Sequence, residues 1–551
     1  MQNKQILHLV LGKIRHNLRH WKRNNMNIFL TIFIQIVKLF RLSIDKLSDI
    51  IYGWWFDDSE QLPPLKSPLL LDPASDLCDK VAAGKVTSEQ VVAAFIQRIR
   101  DVNGILNCVV DERFGEAIVE AKQIDQLLKT LTPEQRKNVF KQKPFLGIPF
   151  TTKDCFAVAG LSWSAGLLAR KNVKATFDAP VVSAMRRAGA IPLAVTNVSE
   201  LCMWMESNNT AYGRTNNPYH TGRTVGGSSG GEGCVISCAG SPWGIGSDVG
   251  GSIRMPSFFN GIFGHKPSTG IVDNGGQLPL AHGVHDKFLV TGPMCRHAKD
   301  IIPMLKVLAE KKSTILRLDE KVDLKKTKFY FMQNDGGFPL TSPVHKDLRV
   351  IQEKFLKSFE KSFGIHPKKA DLPDLYHSLM IWSNGMASEK KAPPFAAELA
   401  ELKGQINPWV HLVRWCFGLS PHTLPALGLA ALEKFVRTDT EMHVEFIKRG
   451  ERLREDLNNL LGHDGVLIYP SHSTPAPYHG QPIVKTFNFA YTAIFNILGN
   501  PVTQVPLGLG SDGVPLGVQV VAGLHMDRLS IAVAKEAERM FGGWVPPSSI
   551  N

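Results

Sequence analysis

The chain has 551 residues, 44% hydrophobic and 21% charged, with a formal charge of +13. This composition supplies a large folded core and excludes a disordered or low-complexity protein. Residues 1–44 hold eight Lys/Arg and no Asp/Glu, so they supply eight of the thirteen charges, which excludes a broad basic face for nucleic acid.

Residues 1–23 carry an apolar stripe at helical spacing (Leu7, Leu11, Ile14, Leu18, Trp21) among Lys13, Arg15, Arg19, Lys22 and Arg23. An acid-free, basic amphipathic helix suits a membrane surface or a targeting peptide. The apolar run Ile28–Phe40 follows, shorter than the roughly 20 residues a spanning helix needs. Leu42, Ile44, Leu47, Ile50, Ile51 and Trp54–Phe56 lengthen its apolar face. Three readings compete: a short or tilted single-pass anchor, an interfacial helix, or a helix docked on the protein's own body. Membrane association is the expectation, with residues 1–60 the associating segment, a linker at Pro63–Pro64, and residues 61–551 the folded domain.

Thr87-Ser-Glu-Gln90 is a capping-box pattern that opens a helix through about Arg100. A short strand is expected over Ile105–Val110, then a polar helix with Glu116, Glu120, Lys122 and Asp125. An apolar strand over 145–153 ends in Lys153, a helix spans Pro180–Gly189, and a buried strand spans Ala190–Val195. This alternation predicts an α/β fold, a sheet covered by helices on both faces. Beyond it come a helix over Asp300–Glu310, a strand over Lys328–Met332 and a helix-rich stretch over 346–460. Within that stretch Ile406–Leu419 and Leu424–Phe435 are apolar and Trp-bearing, either a core helix pair or an apolar cap admitting a lipid.

The chemistry concentrates in Gly226–Arg254, GGSSGGEGCVISCAGSPWGIGSDVGGSIR. Ser252 follows Val249-Gly250-Gly251, where several N–H groups can face one point beside its hydroxyl, as a nucleophile with an oxyanion hole requires. A base is needed, and no histidine is near in sequence. Lys153, at the end of a buried strand, fits: desolvation there favours the neutral amine. Ser–Lys pairs are a variant of the serine–base theme. Ser228, in GGSSGG, also fits G-x-S-x-G, but the nucleophile of that elbow follows a strand, and Asn216–Arg223 reads as turn-like, so Ser228 is better as a relay. Ser229 is either a further hydroxyl on that relay or a turn cap. Asp248 and Arg254 are expected to bracket the loop as an ion pair, and Glu232 to cap a helix. Eight cysteines (78, 108, 155, 202, 234, 238, 295, 416) form no CxxC pair and no Cys/His ligand spacing, so reduced thiols and no metal are expected. Asn197-Val-Ser and Asn208-Asn-Thr match the glycosylation pattern by chance.

Lys153 after GIPFTT, GGSSGGEG, GSDVGGSIRMPSFFNGIFGHKPS, TGPMCR (Thr291–Arg296) and the C-terminal NPVTQVPLG…GVPLGVQVVAG together resemble the amidase signature family over roughly residues 65–545. Within it, GGSSGGEG and FFNGIFGHKPS are most similar to the fatty-acid amide hydrolases. The resemblance implies one twisted mixed sheet wrapped by helices and a Lys153–Ser228–Ser252 triad with Ser252 the nucleophile. It implies an oxyanion hole at Val249, Gly250, Gly251 and Ser252, and it aligns Cys202 and Met203 with the family's substrate-facing segment. It implies no cofactor, a lipid amide substrate at an intracellular membrane, and leaves a homodimer open. The alternatives are the glutaminase (A-type) subunit of a tRNA-dependent amidotransferase and a catalytically idle lipid-binding member of the fold.

Overall fold

The computed structural model describes residues 32–550, so the stripe over residues 1–23 and the first part of the Ile28–Phe40 run lie outside the described residues. Eleven strands form one mixed sheet. In chain order they are β1 (Val109–Glu112), β2 (Pro149–Lys153), β3 (Ile191–Thr196), β4 (Trp243–Asp248), β5 (Phe263–Lys266), β6 (Val290–Cys295), β7 (Lys328–Phe331), β8 (Lys368–Lys369), β9 (Gly465–Tyr469), β10 (Val502–Leu509) and β11 (Pro515–Ala522). Their spatial order is β1-β3-β2-β4-β6-β5-β10-β11-β9-β7-β8.

β2 runs parallel to both β3 and β4, whereas β6 pairs antiparallel with β4. Every residue of β2, β3 and β4 is buried. Near-continuous burial is what a parallel trio requires, because crossover helices cover both of its faces. The C-terminal ends of parallel strands lie at one edge of such a sheet, the usual place for a site in an α/β fold. Lys153 ends β2 and Asp248 ends β4, so both are delivered to that edge.

The capping box forms as read: Thr87 accepts from the Gln90 N–H, and the Gln90 side chain accepts from the Thr87 N–H. Its helix continues to Leu106, past the expected end at Arg100 and into the stretch expected to be a strand. The apolar positions Phe95, Ile96, Ile99, Val102 and Leu106 stay on one buried face, so the helix persists until Asn107 turns left-handed. The strand therefore begins at Val109. The expected helices at Pro180 and Asp300 and the strands at 145–153, 190–195 and 328–332 are present with boundaries moved by a few residues. One reading fails. Asn216–Arg223 is not a bare turn, since Asn216–Asn217 and His220–Thr224 pair as a small ribbon. That ribbon is separate from the main sheet, so GGSSGG does not sit on a central strand as an elbow would.

Residues 32–56 form one helix, α1. One face is tied to the body: Arg41 donates to the Val484 carbonyl at 2.8 Å and to Ser342 Oγ at 3.1 Å, and Gln481 donates to Ser48 Oγ at 3.2 Å. The other face exposes Phe33, Ile36, Phe40, Ile50, Trp54 and Trp55, with Trp54 82% exposed. The docked-helix reading thus describes this segment's contacts. Among the described residues, no helix is long and apolar enough to cross a membrane.

Candidate active site

Lys153 is fully buried and its Nζ donates to two hydroxyls, Ser228 Oγ at 3.0 Å and Ser247 Oγ at 2.8 Å. Asp154, its neighbour, turns away and takes the Ser164 N–H at 3.0 Å, so the two do not form a simple Lys–Asp surface pair. Ser228 is 1% and Ser252 7% exposed, and both line one cavity together with Ser247, Cys202 and Met203. The structure thus bonds Lys153 to Ser228 and places Ser252 on the cavity that Ser228 also lines. Ser247 was missed, although it stands in the same motif one residue before Asp248.

The loop that carries Ser252 is held from beneath. Asp248 and Arg254, both fully buried, form a bidentate pair at 2.8 and 3.0 Å. Asp248 also accepts from the N–H of Gly251 at 2.7 Å and of Ile253 at 3.0 Å. Arg254 reaches on to the Thr492 carbonyl and Asn496 Oδ1. Burial alone would raise the Asp248 carboxyl, but the Arg254 guanidinium and the N–H donors outweigh it and hold it down at about 2. The Trp382 indole N–H donates to the Val249 carbonyl at 2.9 Å, and Thr492 Oγ1 donates to the Gly250 carbonyl at 2.8 Å, so both peptide planes are fixed. Gly251 has φ +119°, and a Cβ there would stand 2.1 Å from Thr492 Oγ1, so only glycine fits.

These contacts amend the oxyanion-hole expectation. The Gly251 N–H is committed to Asp248, whereas Val249, Gly250 and Ser252 line the cavities. Ser229 donates to the Ser247 carbonyl at 3.3 Å rather than to the Ser228 or Ser252 hydroxyl, and it makes no side-chain cap.

Glu232 departs from the capping role expected of it. It lies inside the helix Gly230–Ser237 (α2) and accepts from Thr151 Oγ1 at 2.6 Å and Thr196 Oγ1 at 2.8 Å, bridging β2 and β3. Burial pushes its carboxyl up to about 8 against those hydroxyl donors and Lys153. A folded-state value above the unfolded one means folding takes up a proton between about pH 4.5 and 8, so this group's contribution to stability falls as pH rises through that window. Glu232→Gln removes the slope. In urea denaturation across pH 5 to 8 the variant should gain on the wild type as pH rises, by up to about 1.4 kcal/mol per pH unit. Parallel pH profiles would contradict it.

Two cavities meet at Ser252. One, of about 340 Å³, is lined by Leu278, Leu280, Leu289, Trp382 and Phe395. The other, of about 480 Å³, is lined by Met205, Met255, Trp382, Leu424 and Phe489. Cys202 and Met203 line both, as does Leu429 of the helix Leu424–Leu432 (α3). They sit on a bend in which Leu201 (φ +50°) and Cys202 (φ +59°) are both left-handed, a conformation costing non-glycine residues roughly 1–3 kcal/mol and held here by its surroundings. Glu200, just before the bend, accepts from the Thr423 N–H and His422 Nδ1, each at 2.7 Å, anchoring the start of α3 to it. The preceding helix Pro408–Cys416 is not core: Trp409, Val410 and Val413 are each more than half exposed. Asn197 is buried and donates to Thr215 Oγ1, which leaves it no room for a glycan.

The parallel centre of the sheet ends on a buried lysine, beside two glycine-flanked serines and a pair of apolar cavities. The amidase family model matches residues 90–529, and the chain belongs to the amidase family of enzymes. It is 48% identical to fatty-acid amide hydrolase 2 of Homo sapiens over 488 residues, 88% of this chain and 92% of that protein. It is 47% identical to fatty-acid amide hydrolase 2-B of Danio rerio over 497 residues, 89% of this chain and 93% of that protein. A solved fatty acid amide hydrolase structure shares its fold with a TM-score of 0.70 at 19% identity, covering 93% of this chain and 91% of that chain.

Proposed function

We propose that the chain hydrolyses fatty-acid amides at a membrane surface, with Ser252 as nucleophile, Ser228 as relay and Lys153 as base. The observation that carries this is the buried Lys153 Nζ, 3.0 Å from Ser228 Oγ, with Ser228 and Ser252 lining one apolar cavity. Lys153 in its neutral form takes the Ser228 proton while Ser228 takes that of Ser252. Ser252 Oγ adds to the amide carbonyl, and the N–H groups of Val249, Gly250 and Ser252 hold the oxyanion; one such donor is typically worth about 3 kcal/mol. The proton returns along the relay to the departing nitrogen, and water then releases the acid from Ser252. The apolar linings suit an acyl chain, and the exposed apolar sides of α1 and of Pro408–Cys416 suit a lipid surface from which it would enter. The 48% identity to fatty-acid amide hydrolase 2 supports that substrate class over glutamine.

The test is turnover of oleamide against glutamine in detergent micelles, with wild type and Ser252→Ala in parallel. Oleamide turnover that falls by at least about a thousandfold in the variant is expected. Turnover of glutamine alone would favour the glutaminase component of an amidotransferase, and unchanged oleamide turnover in the variant would move the nucleophile elsewhere.

A further inference from the structure

The side of α1 that meets the body is fastened by polar contacts. Arg41, Asp45, Asp49, Tyr52 and Phe56 recur at spacings of three or four, so they share one side of the helix. That side lies along a single strip of the body, residues 478–488. Arg41 donates to the Val484 carbonyl at 2.8 Å, and Asp49 accepts from Gln481 Nε2 and Lys485 Nζ, each at 2.5 Å. Arg41 also donates to Ser342 Oγ at 3.1 Å, and that oxygen accepts in turn from Asn488 Nδ2 at 3.0 Å. At the end of the helix Phe56 stands edge-on to His479, with ring centroids 5.9 Å apart.

The other side of this strip is a cavity wall. Ile483, Thr486 and Phe489, three apart, line the cavity of about 480 Å³ on which Ser252 also lies. Phe489 is the inner end of the wall: it stands edge-on to Trp382 at 5.0 Å, and the Trp382 indole N–H holds the Val249 carbonyl of the Ser252 loop. Ile483, 44% exposed, is the outer end, where the cavity opens. Two 3₁₀ turns build the strip, Gln481–Ile483 and Thr486–Phe489. Turns this short, with the poorer geometry of i→i+3 bonds, hold little shape by themselves. The bonds to α1 and Ser342 supply what they lack.

We propose that α1 is the outer brace of this wall: Arg41 and Asp49 are positioning residues that hold Ile483, Thr486 and Phe489 where a long acyl chain packs, so the fit to acyl length is set from outside the cavity. This rests on the reading of Ser252 as nucleophile and of this cavity as the acyl site. A short acyl group on Ser252 stays beside Trp382 and does not meet the rim at Ile483. A long chain lies along the whole wall, and each further methylene adds to binding only where the wall is in place to meet it. Loosening α1 therefore costs long chains and spares short ones. The pair Asp49–Lys485 is the part to disturb, because Asp49 is 56% exposed at its side chain and lines neither cavity.

The experiment labels full-length protein in detergent micelles with ethyl and dodecyl fluorophosphonates, which react with a hydrolase's serine without any amide turnover. Labelling rates are measured with each probe, and peptide mass mapping identifies the serine that carries the label. In Asp49→Lys, which sets two ammonium groups against each other, the dodecyl rate should fall at least about tenfold while the ethyl rate stays within about twofold of wild type. The double variant Asp49→Lys/Lys485→Asp restores the pair with its ends exchanged and should recover the dodecyl rate. With oleamide the same loss should appear as a raised KM more than a lowered kcat. A chain-length effect at Ser252 supports the brace even if oleamide is not turned over. Equal loss with both probes, an unchanged dodecyl rate in Asp49→Lys, or no recovery in the double variant would overturn it with Ser252 still labelled. Label on another serine would instead overturn the site reading beneath it.

Discussion

Replacing Lys153 with alanine should lower kcat/KM for oleamide by about 10²- to 10⁴-fold, the range of a general acid–base group, and should lower it less for methyl oleate. The asymmetry follows from the leaving groups. An amide nitrogen departs only once it has received a proton, and in the proposed relay that proton starts from Lys153 and passes through Ser228. An alkoxide leaves an ester with less help, so an ester suffers mainly from the lost activation of Ser252. The geometry makes this prediction sharp. Lys153 is fully buried, bonds to two serine hydroxyls and makes no ion pair among the described residues, so a charge-pairing role does not compete with proton transfer. Removing a buried side chain also leaves a void, and circular dichroism with a melting curve on the same samples separates loss of fold from loss of chemistry. Equal losses on amide and ester in a folded variant would make the lysine structural.

The parts of the site legible in the sequence were those whose chemistry is local. Ser228, Ser252 and the glycines around them stand within one stretch, and Lys153 closes a strand whose apolar run is visible by eye. Asp248 and Arg254 are six residues apart, close enough for the loop between them to suggest the pair. What stayed hidden depends on elements far apart in the chain. Trp382, Thr492 and Asn496 each fasten the Ser252 loop from more than a hundred residues away. Nothing in a single sequence marks a tryptophan as the partner of one particular carbonyl. Glu232 shows the converse error. Its position three residues after Ser229 matches a capping pattern, but the helix packs against β2 and β3, and two threonine hydroxyls there compete for the carboxyl. In the fold, helix and strand types were read from periodicity, and the shift of the first strand to Val109 arose because apolar spacing carried the preceding helix on to Leu106. The apolar stretch at 406–435 divided between its two readings: its first helix is exposed, while α3 lines both cavities.

Arg254→Met should destabilise the protein by about 3–5 kcal/mol, the cost of stranding a buried charge without its partner. Asp248 is wholly enclosed, and its ionised form is maintained by Arg254 and by the N–H groups of the loop. Take away the guanidinium and the carboxylate must either remain charged in an apolar setting or bind a proton, which weakens its bonds to Gly251 and Ile253. The sign with pH follows. Because the folded-state value lies below the ordinary one, the pair's contribution in the wild type is complete above about pH 4 and is lost as pH falls toward about 2. The double variant Asp248→Asn/Arg254→Met should recover part of the loss, since two neutral partners strand no charge. Urea denaturation of the single and double variants at pH 7 measures both. The loop fastened by this pair also carries Ser252, so rate should fall with stability in Arg254→Met, at unchanged fold by circular dichroism. A penalty under about 1 kcal/mol would place the pair with ordinary surface salt bridges and would mean that the Ser252 loop keeps its shape by its glycines and the Trp382 and Thr492 bonds alone.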